Sequence, residues 1–191
     1  MIKAFSVSTL LIIVFSCVYH NAVSYFPTQV LAQKDNTNTF LTYNNPTFGI
    51  KIQYPSDWKV EENKDHSEDN TDVVTFSSPV SEEVAISVDN INDNSMTLMQ
   101  YVNDTVLSDL NQSRDFTMLQ SNSNAILDGN PAYSVTYTDK DPEPFKGMEI
   151  VTLKNGRAYD ISYTADLDTY DSVLPTVQTM INSFSTTPSS S

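Results

Sequence analysis

Between Ile50 and Tyr163 the chain returns repeatedly to one pattern, an apolar side chain at every second residue. Successive side chains of a strand point to opposite faces, so such alternation describes a sheet buried on one side. Ile50, Ile52 and Tyr54 alternate with Lys51 and Gln53, then Pro55 ends the run and Ser56-Asp57 turns the chain before Trp58, the single tryptophan. The same period recurs at Val74 and Phe76, at Val84, Ile86 and Val88, at Tyr133, Val135 and Tyr137, and at Tyr159, Ile161 and Tyr163. Met148 to Leu153 is apolar on both faces, which predicts a central strand. Asn155-Gly156 follows it, a dipeptide that accepts the two positive φ angles of a type I′ hairpin turn.

Two helices are predicted among these strands. Thr97 and Gln100 have the spacing of a capping box, and Leu98, Val102, Val106 and Leu110 follow at helical intervals. Tyr170, Leu174, Val177, Ile181 and Phe184 form a second apolar stripe. Proline is tolerated in a first helical turn, so Pro175 predicts that this helix starts near Ser172. The fold class expected is α+β, a mostly antiparallel β-sheet flanked by helices, with residues 39–184 as one domain.

The N-terminus reads as an export leader. Lys3 precedes an apolar run from Ala4 to Tyr19, and Val30-Leu31-Ala32 offers the small residues that a signal peptidase accepts. Residues 1–32 are expected to be a signal peptide, with a second cleavage site at Ala22-Val23-Ser24. Val14-Phe15-Ser16-Cys17 is a partial lipobox, so the chain would be membrane-anchored if it stayed uncleaved or were lipidated at Cys17. Cleavage after Ala32 removes the single cysteine, and stability then comes from packing rather than a disulfide. Residues 33–38 read as a flexible tether and residues 185–191 as a disordered Ser/Thr-rich tail.

Charge narrows the partners. The full chain stands at −14, and loss of Lys3 with the leader takes the mature chain to −15. Such a surface repels nucleic acid and anionic headgroups and attracts cations or a basic protein surface. An extracytoplasmic monomer with no direct membrane insertion after cleavage is expected.

Taken together, Phe48-Gly-Ile-Lys-Ile-Gln-Tyr-Pro-Ser-Asp-Trp58, Val73-Val-Thr-Phe-Ser-Ser-Pro79, Leu98-Met-Gln-Tyr-Val102, Asp128-Gly-Asn-Pro-Ala-Tyr133, Gly156-Arg-Ala-Tyr-Asp-Ile161 and Ile181-Asn-Ser-Phe184 resemble, in this order, the PsbP-like family. The resemblance spans the domain and implies the PsbP/Mog-like fold, an antiparallel sheet sandwiched by helices. It also implies an accessory role, since familiar members are extrinsic subunits of photosystem II that support calcium and chloride retention. The basic N-terminal docking region of the plant members has no counterpart, because Gln33–Phe40 carries only Lys34.

Candidate chemistry is sparse. His66 is the one histidine left after cleavage, and with Asp65 and Asp69 it could hold a divalent cation (Ca²⁺, Mn²⁺ or Zn²⁺); the resemblance implies similar histidine–aspartate metal binding. One histidine among flexible carboxylates is poorly preorganised, and a solvated loop is the simpler reading. Asp166, Asp168 and Asp171 could chelate calcium but sit where a helix N-terminus favours acidic residues. Asp139, Asp141 and Glu143 read as a surface loop, and the tyrosines as strand packing. Asn103 and Asn111 stand in glycosylation sequons. No G-x-S-x-G, H-E-x-x-H or P-loop motif occurs, so a non-catalytic role is expected. The expected function is an exported accessory or binding subunit of an extracytoplasmic, membrane-associated protein complex. The alternative is a stand-alone domain for a divalent cation or small ligand.

Overall fold

The computed structural model describes residues 39–64, 72–93, 95–140 and 143–186. Among these residues the fold is α+β, with all strand pairs antiparallel. A small sheet joins β1 (Phe40–Asn45), β2 (Ile50–Pro55) and β10 (Ser185–Thr186) in the order β1-β2-β10. The main sheet holds β3 (Lys59–Glu62), β4 (Asp72–Ser77), β5 (Glu83–Asn90), β6 (Thr117–Leu127), β7 (Asn130–Asp139), β8 (Phe145–Lys154) and β9 (Arg157–Asp166). Its spatial order is β3-β4-β5-β9-β8-β7-β6, so β8 and β9 lie inside it, as the apolar run Met148–Leu153 predicts.

The alternation sorts side chains onto two cores. Val84, Ile86 and Val88 of β5 and Tyr159, Ile161 and Tyr163 of β9 share one face. They pack with Ile50 and Ile52 of the small sheet and with Val177 and Met180 of helix α3 (Tyr170–Ser183). Trp58 and Phe184 are buried in the same core, at 8% and 3% exposure. The intervening residues face the other way. Tyr133, Val135 and Tyr137 of β7, Val151 of β8 and Ala158 of β9 form a second core under Tyr101, Val102 and Val106.

These last residues belong to the first predicted helix, which is present but not uniform. It runs as α1 (Leu98–Tyr101), a π-helical stretch (Val102–Val106) and α2 (Leu107–Leu110). The capping box is made: the Gln100 amide donates to Thr97 Oγ1 at 3.3 Å, and the Thr97 amide donates to Gln100 Oε1 at 2.9 Å.

Two expectations need correction. α3 begins at Tyr170 rather than near Ser172, which places Pro175 inside the helix and removes one i→i−4 hydrogen bond. Its early start is anchored by Tyr163, whose ring stacks on Tyr170 at 4.7 Å and whose hydroxyl donates to the Tyr170 carbonyl at 3.0 Å. Ser185 and Thr186, expected to belong to the tail, instead pair with Lys51 and Ile50. Asp128 explains this: its Oδ2 accepts from the Thr186 amide (3.0 Å), the Thr186 hydroxyl (2.6 Å) and Lys154 Nζ (2.7 Å).

The hairpin at Asn155-Gly156 has the expected positive φ angles, 53° and 73°, and Lys154 pairs with Arg157. A second turn of the same kind, at Asp128-Gly129 (φ 49° and 71°), joins β6 to β7.

Candidate functional site

Among the described residues, those singled out in the sequence do not converge. His66, Asp65 and Asp69 lie outside the described residues. Among the described residues no three His, Cys, Asp or Glu side chains are grouped to hold a metal ion. The helix α3 N-cap is Thr169, whose side chain makes no capping hydrogen bond. Asp171 lies in the first turn and pairs with Lys146 Nζ at 2.9 Å, while Asp166 accepts from Ser81 Oγ at 3.1 Å. Asp168 is exposed. Asp139 departs from the surface-loop reading: it is buried at the end of β7 and accepts from the Lys140 amide. Asp141 lies outside the described residues and Glu143 is exposed. Asn103 and Asn111 are both exposed, and Asn111 Nδ2 already donates to the Leu107 carbonyl.

What the fold builds instead is an acidic cleft of about 490 Å³ between the α1–α2 segment and the main sheet. The helical segment covers the β7 side of this face with apolar side chains. Towards β5 the cover ends and the face turns polar. Ser87 and Asp89 on β5, Glu149 on β8, and Asp160 and Ser162 on β9 form the floor. Tyr101, Thr105 and Asp109 reach down from the helical side.

The ladder fixes this arrangement. Asp160 pairs with Ser87 on one side and Val151 on the other, and Glu149 pairs with Ser162. Glu149 and Asp160 are therefore diagonal neighbours on one face, about 7–8 Å apart by sheet geometry. Tyr137 donates to Glu149 Oε1 at 3.2 Å, Tyr101 donates to Asp89, and Ser87 donates to Asp72 Oδ1 at 2.5 Å. Asp160 Oδ1 is sealed from solvent and has no hydrogen-bond partner.

Burial dominates the electrostatics. It pushes the Glu149 carboxyl up to about 7, with Asp109 adding to the rise and the Tyr137 hydroxyl opposing it. Asp160 is raised well above the usual carboxylate range by burial and then by the charges of Glu149, Asp89 and Asp72. Burial, reinforced by Asp89, likewise pushes the Tyr101 phenol upward, so it stays a hydrogen-bond donor. Neighbouring carboxyls of this kind cannot all ionise cheaply without a positive partner. A positive charge brought into the cleft would favour their ionised forms.

Sequence reading passed over these residues because Asp160 and Ser162 alternate with the apolar residues of β9, the positions that normally face water. Their enclosure comes from the α1–α2 segment. One signal was available: Glu149 is an acid within the apolar run Met148–Leu153 of a central strand.

The sequence profile of a family described as PsbP-like protein matches residues 7–186. Among curated protein sequences none matches. Among solved structures the chain is similar to cyanobacterial PsbP (CyanoP) from Synechocystis sp. PCC 6803. The TM-score is 0.60 at 18% identity, over 81% of this chain and 96% of that one. It is similar to LpqN, involved in cell envelope biogenesis of Mycobacterium tuberculosis (TM-score 0.55, 13% identity, 81% and 94% covered). The Saccharomyces cerevisiae Ran-binding protein Mog1p gives 0.55 at 12% identity, with 78% and 96% covered. At these identities the likenesses concern the fold, and they agree with the antiparallel architecture described above.

Proposed function

The chain belongs to the PsbP-like family, and on that premise we propose that it is an exported, non-catalytic accessory subunit that binds within an extracytoplasmic, membrane-associated complex. The acidic cleft carries this reading. It is an open, ligand-sized concavity on the main sheet, and among the described residues no cationic side chain lines it. The leader expected over residues 1–32 supports export. One of the similar structures is named for binding Ran, which supports a binding task. No helix among the described residues is long and apolar enough to cross a membrane.

The test is sedimentation of native membranes at low and high salt, with the protein followed by immunodetection. Stoichiometric migration with one membrane complex, released by salt, is the expected result. Recovery only as free monomer at every salt concentration would remove the accessory-subunit reading. Intact mass of the native protein reports cleavage after Ala32, lipidation at Cys17 and glycans at Asn103 or Asn111 in one measurement.

A further inference from the structure

Building on the reading of this cleft as a binding site, we propose that it takes a single organic cation, an alkylammonium or guanidinium group, with Asp160 and Glu149 as its inner receptors and Asp109 at its rim. Three observations carry this.

The first is the orphaned oxygen. Asp160 lines the cleft with a carboxyl whose Oδ1 is sealed from solvent with nothing donating to it, so its negative charge is poorly compensated and a cation reaching the carboxyl from the cleft side would offset it. An ammonium or guanidinium brings several N–H donors on one charge, enough to serve Asp160, Glu149 and the serine hydroxyls together.

The second is spacing. The carboxyls stand on separate strands and on the helical segment, and no three of them are grouped closely enough to hold a metal ion. A bare divalent ion needs convergent oxygens at short range, whereas an organic cation spreads its donors over several ångströms. The third is the wall. Val106 and Leu110 line the helical side, giving an apolar surface to a methylene stem while its head reaches the acids.

Occupancy should be linked to protons. Among the described residues, the groups facing Glu149 are Tyr137 from β7 and Asp109 from the helical segment, and those facing Asp160 are Glu149, Asp89 from β5, Asp72 from β4 and Tyr101 from the helical segment. None is cationic, so the empty cleft retains protons near neutrality and a bound cation displaces them.

The test titrates the mature protein at about pH 8 with N-acetyl-lysine methylamide, its arginine counterpart and spermidine, followed by amide NMR shifts and by calorimetry in buffers of different ionisation enthalpy. Saturable shifts at Ser87, Glu149 and Asp160 with proton release are expected, and affinity should fall about tenfold per pH unit below about 7. Tetramethylammonium, which has the charge without the N–H donors, should not saturate the site, and neither should Mg²⁺. Asp160→Asn should abolish saturation. If that variant does not fold, Asp109→Asn on the exposed helical surface should weaken binding roughly twofold to fivefold.

Saturation by the lysine or arginine mimics assigns the cation to a partner's side chain, and preference for spermidine assigns it to a free polyamine. Equal, non-saturating responses of wild type and variants to every cation would overturn the proposal. Co-sedimentation of the Asp160→Asn protein with the membrane complex would leave the accessory role standing and remove the cleft from it. Saturable amine binding by a protein found only as free monomer would do the reverse.

Discussion

Gly147 lies directly opposite Tyr137 across the β7–β8 ladder, and a methyl group at residue 147 would come within 2.4 Å of the tyrosine ring. The ring occupies the space that a side chain would need, between Phe116 (5.5 Å) and Phe145 (6.1 Å), and its hydroxyl reaches Glu149. Gly147→Ala should therefore displace Tyr137 and destabilise the domain by about 1–3 kcal/mol, measured by urea denaturation. The same displacement weakens the hydrogen bond that holds the Glu149 carboxyl down, so its titration should move upward by NMR. An alanine variant with wild-type stability and an unmoved Glu149 would mean that the ring has another place to go.

Trp58 and Phe184 are core anchors rather than ligand contacts. Trp58 follows the turn that ends β2, and its amide donates to the Pro55 carbonyl at 3.1 Å. Phe184 closes helix α3 and meets Tyr159 edge-on at 6.2 Å. Replacing either with alanine should cost about 3–5 kcal/mol, a large fraction of a small domain's stability. A melting temperature within error of wild type for both variants would contradict their placement.

Where alternation was strong, sequence and fold agree. Val84 to Val88 and Tyr159 to Tyr163 each bury one side because both strands lie inside the sheet beneath α3 and the small sheet. Strand β6 had no such signature. Gln120-Ser-Asn-Ser-Asn124 is polar and exposed on both sides, with register shifts on either side of Asn122, because β6 is an edge strand paired only to β7. Its conformation is imposed by the Asp128-Gly129 turn and the neighbouring ladder rather than by burial. The cleft was hidden for a related reason. Asp160 and Ser162 occupy positions that a lone sheet would leave in water, and among the described residues it is the α1–α2 segment, far away in sequence, that encloses them.

Divalent cations offer a check on the second reading of function. Modest divalent salt should stabilise a chain at −14 by screening its self-repulsion, with no saturation. A site built by His66 with Asp65 and Asp69 would behave differently, saturating with Mn²⁺ or Zn²⁺ and losing that response in His66→Ala while keeping the response to Mg²⁺. A single histidine offers one imidazole ligand where such ions take several, so calorimetry is expected to give equal, weak heats for both proteins. Saturable Zn²⁺ binding that vanishes with His66→Ala would instead establish these residues as a metal site.

The buried acids also fix the sign of the pH dependence of stability. Glu149 sits at about 7 in the folded domain against an ordinary 4.5, so between those values the folded state holds a proton that the unfolded chain has released. That stabilisation is fully present below about 4.5 and is lost as pH rises through about 7, with Asp160 acting in the same direction. Asp128 acts oppositely. Burial works against its charge, but hydrogen bonds from Lys154 and Thr186 hold its carboxyl below the ordinary 3.8, and their contribution is lost as pH falls below that value. Stability should therefore peak near pH 4–5 and decline towards pH 8, by at most about 1.4 kcal/mol per pH unit for each proton released. General repulsion on this acidic chain would also weaken it as pH rises, and urea denaturation of wild type beside Glu149→Gln separates the two. Repulsion acts on both proteins, whereas the local contribution should disappear from the variant and flatten its profile between pH 5 and 8. Parallel profiles would show that Glu149 titrates as an ordinary surface acid and that the cleft is wetter than its geometry implies.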